Sequence, residues 1–145
     1  MTDPGQQTPD EITYRFKVSL RLWHPWMDPM DITEALALRP SRAWKAGQQP
    51  SIPSGEVISA ACDHAYWTAP ITEGEETSLV EALLPWVQYL SVRSKFLADF
   101  NQTGGTIECL VKWFACAESS GVTLDWDLLL KLARLKVRLG LSFHR

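Results

Sequence analysis

Few side chains in this sequence stand at spacings that chemistry uses. Cys62-x-His64 places a thiol and an imidazole on one face of an extended segment. His24 or His144 would have to complete a metal site with them, whereas closed zinc sites take four ligands, usually as close pairs at both ends. A cysteine nucleophile needs a neighbouring base or a helix N-terminus to lower its pKa, and Cys62, Cys109 and Cys116 all fall in strand-like, apolar surroundings. No G-x-S-x-G elbow occurs. Thr103-Gly104-Gly105 lacks the glycine spacing and lysine of a phosphate loop and follows a helical pattern instead of opening one. The carboxylates at Asp28, Asp31, Asp125 and Asp127 are explained by helix starts, where side-chain oxygens cap free amides and the dipole favours negative charge. No catalytic set, metal set or cofactor motif emerges. The candidate binding residues are Arg39, Arg42, Trp44 and Lys45 ahead of Gly47, with Trp67 downstream. Arginine beside an aromatic ring suits an anion or an acidic protein surface; the plainer reading has Trp44 pinning its loop while the charges stay in water.

The elements that would position these residues follow from periodicity. Tyr14, Phe16, Val18, Leu20 and Leu22 alternate with Arg15, Lys17, Ser19 and Arg21, the pattern of a strand covered on one face. Asp28-Pro29 opens a two-turn helix with Ile32, Ala35 and Leu36 on its apolar side, and Pro40 is expected to stop it. Residues 40–56 read as an irregular connection, and 57–67 as a second strand closed by Pro70 and the acidic stretch 73–76. Ser78 and Glu81 form a capping-box pattern before a helix in which Pro85 should cause a kink or a fresh start. A helix from Ser94, a central strand over 106–117 with apolar residues on both faces, a helix capped by Thr123, and a short last strand through Leu139, Leu141 and Phe143 complete the chain. Residues 1–11 form an expected tail and 12–145 one α+β domain. Its simplest packing is a mainly antiparallel four-stranded sheet with helices on one face, a ferredoxin-like sandwich.

Composition excludes more than it proposes. The net charge of -3 implies no large field toward nucleic acid or membranes, although the strand face bearing Arg15, Lys17 and Arg21, joined by Lys112 and Phe114, is basic and aromatic. Three cysteines without paired spacing suit a reducing compartment, and the polar N-terminal residues lack a secretory pattern, so a cytoplasmic location is expected. Seven tryptophans offer core, interface or ligand platform without choosing among them.

The D-P-x-x-I-T-x-x-L-x-L-x-P segment (Asp28, Pro29, Ile32, Thr33, Leu36, Leu38, Pro40), the strand from Phe16 to Leu22, Gly47, Trp67 and the helix Leu128 to Leu135 together resemble the domain-of-unknown-function 4279 family of small bacterial proteins. The resemblance implies a fold and no activity. Taken together, these features lead us to expect a non-enzymatic protein-interaction module, of which an immunity-type protein is one form. Its partner would be another protein, or a second copy bound through the open sheet face or an edge strand. The alternative is a small-molecule or anion-binding domain, or an enzyme, with a pocket between the 39–56 loop and the sheet. Nucleic acid fits poorly and a membrane not at all.

Overall fold

In a computed structural model, which describes residues 13–48, 63–75 and 77–144, the described chain forms one five-stranded sheet with four helices. The strands are β1 (Tyr14–His24), β2 (Arg42–Trp44), β3 (Ala65–Gly74), β4 (Thr106–Ala115) and β5 (Val137–His144). The helices are α1 (Pro29–Leu36), α2 (Leu79–Ser91), α3 (Ser94–Gln102) and α4 (Trp126–Arg134). The spatial order is β2-β3-β1-β4-β5. All neighbouring strands are antiparallel except β4 and β5, which run parallel.

The α+β class and the mainly antiparallel sheet match the sequence reading, but the sheet has five strands where four were expected, one of them parallel to its neighbour, and does not match a ferredoxin-like sandwich in detail. Two physical causes account for the difference. The strand β2 is three residues long and sits inside the expected irregular connection, too short to show alternation. The helix α4 supplies the long crossover that lets β5 lie parallel beside β4. β3 and β4 flank β1 and are joined through α2 and α3, so the centre of the sheet is a split β-α-β unit.

The core lies on one side of the sheet. Alternate residues of β1 (Tyr14, Phe16, Val18, Leu20, Leu22) and β4 (Ile107, Cys109, Val111, Trp113) pack with Trp67 and with Ile32, Leu36, Leu83, Leu97, Phe100 and Leu128 of the helices. β1 therefore follows its sequence pattern, and β4 is interior as its two-faced pattern implied.

Several boundaries differ from the sequence reading. β3 does not end at Trp67 but continues through Pro70 to Gly74. Pro70 is accommodated because the ladder skips Ile71 between Val18 and Ser19 of β1, and β2 covers β3 only at residues 66–68, so no partner needs the missing amide. The helix α1 stops at Leu36, four residues before Pro40, with Ala37 in the left-handed region at φ 53°. Tyr89 Oη donates to the freed Leu36 carbonyl at 2.6 Å. The start of α2 is capped by Tyr14, whose hydroxyl accepts from Leu79 N at 3.0 Å, while Ser78 makes no side-chain cap bond. α2 runs unbroken through Pro85, whose exposed position leaves the unpaired carbonyl of exposed Glu81 to water. Asp125, not Thr123, occupies the N-cap position of α4. The tail through residue 11, Cys62 and the 57–62 part of the expected second strand lie outside the described residues.

Candidate functional site

Among the described residues no helix covers the second face of the sheet, and the sequence places its unusual residues there. On β1 the odd positions Arg15, Lys17, Arg21 and Trp23 point away from the core because Phe16, Val18, Leu20 and Leu22 point into it. The pairing register brings Tyr66 of β3 opposite both Trp23 and Trp44, and Glu108 of β4 opposite both Arg21 and Arg138. Side chains from all five strands thereby become one row of rings beside one carboxylate held by two guanidiniums.

The row is in contact throughout. The Trp44 and Tyr66 ring centroids are 4.6 Å apart and those of Trp23 and Tyr66 5.4 Å. Arg21 lies over the Trp23 ring at 4.7 Å, donates from Nε to Tyr66 Oη at 3.2 Å, and reaches Glu108 Oε1 at 3.3 Å. Arg138 sits 3.7 Å from Glu108 Oε2 and 5.9 Å from the Trp23 centroid. Cation–π contact and the shared carboxylate hold Arg21 in place, which lowers the entropy a partner would have to remove. Gly140 makes room for Glu108: a Cβ there would meet the carboxylate carbon at 3.0 Å. Next to the row is a concavity of about 510 Å³ lined by Trp23, Trp44, Asp63, His64, Tyr66, Thr106 and Arg138.

Charge on this face departs from that of the chain. Arg15, Lys17, Arg21, Arg42, Lys112 and Arg138 share it with Glu73 and Glu108, and with Asp63 at the concavity, although the whole sequence carries -3. Lys17 stands directly opposite Lys112, and like charges in that relation repel. On its other flank Lys17 stands opposite Glu73, which offsets part of that repulsion, whereas no ion pair among the described residues engages Lys112. An anion arriving there would gain from both.

The residues singled out in the sequence divide by face. Trp44 joins the ring row and Arg42 lies on the same side, paired with Thr68. Trp44 Nε1 is shielded from solvent with no hydrogen-bond partner among the described residues. Lys45 pairs with Asp28 at 3.5 Å and its amide is closed by Gln48 in a turn that uses Gly47 at φ 82°. Arg39 is exposed. Trp67 is on the opposite side of the sheet, fully buried, with Nε1 donating to Thr33 Oγ1 at 3.0 Å. The structure thus brings Arg42 and Trp44 to the bare face and separates Trp67 from them.

The sequence reading missed Trp23, Tyr66, Glu108 and Arg138. Trp23 was legible, since it continues the polar phase of β1. The other three are joined by strand register, which no local pattern reports.

The reactive groups are used structurally. His24 is fully shielded; its Nδ1 accepts from Trp26 N at 3.2 Å and Met27 N at 3.0 Å, and its Nε2 meets Thr103 Oγ1 at 2.7 Å. Burial, then the charge of His64, lowers its pKa, in keeping with a neutral ring that ties the end of β1 to the end of α3. The Cys109 thiol is pushed up to about 12 by burial and by Glu108, the reverse of an activated nucleophile. Cys116 is exposed. Among the described residues no three His, Cys, Asp or Glu side chains gather as a metal site, and no helix is long and apolar enough to cross a membrane.

Residues 11–144 match the family model described as a domain of unknown function, DUF4279. The chain belongs to this family. The match spans nearly all of the sequence, so the sheet, its helices and the bare face are all family territory. No curated protein and no solved structure matches the chain.

Proposed function

We propose that the chain is a non-enzymatic binding module whose bare sheet face docks an acidic surface of another protein. The observation that carries this reading is the row Trp44-Tyr66-Trp23 with Arg21 fixed over it. Tryptophan, tyrosine and arginine are the residues in which interface energy concentrates, and immobilised ones lose least entropy on binding. Arg42 stands two residues from Trp44 on the same side, and Lys17 and Lys112 extend the positive charge further along β1 and β4, where it would steer an acidic partner. The buried, unactivated Cys109 and the hydrogen-bonded His24 support a role without covalent chemistry. The concavity beside Trp23 and Arg138 favours a second reading, a small planar anion held between rings and guanidinium.

Immobilised poly-L-glutamate is a defined probe of the first reading. A chain of net charge -3 should be retained at low ionic strength, released by salt, and lost when Lys17→Glu and Arg21→Glu are combined. Flow-through of the folded wild-type protein at low salt would contradict the reading. A labelled oligouridylate run in parallel would assign the face to nucleic acid if it bound more tightly than the polypeptide.

A further inference from the structure

Among the described residues, the strand β5 is a long edge that no other element covers. It pairs only with β4, over eight continuous residues without a bulge, so one side of its backbone has no strand partner among the described residues. The opposite edge, β2, is three residues long, in keeping with the usual restriction of edges to short strands. β5 has neither proline, lysine nor a bulge in Val137–His144, and its one strongly charged side chain, Arg138, is turned toward Glu108 on the bare side. Its helix-side residues are Val137, Leu139, Leu141 and Phe143, and the last two remain 46% and 72% exposed. Two neighbouring apolar side chains beside an open backbone edge are what a pairing strand presents.

We propose that β5 is the seam of a two-fold symmetric homodimer, in which it pairs antiparallel with β5 of a second copy about Gly140. The sequence of the strand is self-complementary in that register. On the helix side, Val137 comes opposite Phe143 of the partner subunit, and Leu139 opposite Leu141 of the partner subunit. On the bare side, Gly140 meets Gly140 of the partner subunit and Arg138 meets Ser142 of the partner subunit. Within Val137–Phe143 every apolar residue thus faces an apolar residue, and no like charges stand opposite one another. Pairing satisfies the open amides and carbonyls, covers Leu141 and Phe143, and closes the interface by symmetry so that no further copies add. The product is a ten-stranded sheet whose two Arg21-Trp23 rows share one face, so an acidic surface would meet two sites at once. The dimer does not depend on the identity of the partner that the bare face binds.

Light scattering behind size-exclusion chromatography tests the seam with the full chain. The wild-type protein should show twice its 16.4 kDa mass. Leu141→Lys with Phe143→Lys changes only exposed positions; it should leave the far-ultraviolet spectrum unchanged and raise the dimer dissociation constant at least tenfold. Hydrogen exchange should then show the alternate amides of 137–144 that point away from β4 protected in the wild-type protein and fast in the variant. A wild-type monomer at millimolar concentration would overturn the proposal. So would a dimer that the two lysines do not weaken, because its interface would lie elsewhere.

Discussion

Replacing Trp67 tests how the sheet is fixed to α1. The ring is fully buried, and its Nε1 donates to Thr33 Oγ1 at 3.0 Å, which in turn donates to the Pro29 carbonyl at 3.2 Å. Trp67→Ala deletes the largest fully buried side chain and removes one of the two hydrogen bonds at the Thr33 hydroxyl, for a cost of roughly 3–5 kcal/mol. Trp67→Phe keeps much of the packing and loses the hydrogen bond, about 1 kcal/mol, plus part of the ring volume. The order wild type, Phe, Ala should appear in urea midpoints followed by circular dichroism, with the slope unchanged. For a chain of this size the Ala variant should melt roughly 6–20 °C lower. Trp126→Ala, at a position 76% exposed, should stay within about 0.5 kcal/mol of wild type. A Trp67→Ala protein less than about 1 kcal/mol destabilised would refute the packing argument.

Other expected outcomes follow from the same geometry. His24 has a pKa lowered from its usual 6.5 by burial first and His64 second. Between the usual value and the lower folded one, the unfolded chain binds a proton that the native chain does not; stability is therefore complete above about 6.5 and falls as pH drops toward the folded pKa. Urea midpoints at pH 7.5 and 5.5 should show that loss in wild type and a smaller one in His24→Gln; equal slopes would contradict the assignment. Tyr14→Phe leaves Leu79 N without its acceptor and should cost about 1–3 kcal/mol, whereas Ser78→Ala, which breaks no cap bond, should be nearly neutral in the same unfolding assay.

The sequence disclosed what local periodicity encodes. The alternation from Tyr14 to Leu22 announced β1 and its bare face, and the Leu128-Leu132-Leu135 spacing announced α4. Caps were less legible, because Tyr14 reaches α2 across 65 residues and displaces the local serine in that role. The candidate site was only half visible: Arg42 and Trp44 were identified as a loop feature, while their neighbours Tyr66 and Trp23 arrive through strand pairing. Trp67 drew notice beside them because adjacency in sequence does not reveal that consecutive strand residues face opposite sides. The parallel β5 was hidden for a related reason, since its direction is set by the α4 crossover and not by anything within the strand.

The bare face as a docking surface is tested most directly by a photo-crosslinking residue, p-benzoylphenylalanine, placed at position 112 in living cells, with position 98 on the exposed side of α3 as control. Position 112 should capture a protein with an acidic surface, and the capture should be lost when Arg21→Glu and Arg42→Glu are added. Crosslinks that arise only from position 98, or that persist at position 112 after charge reversal, would contradict the account.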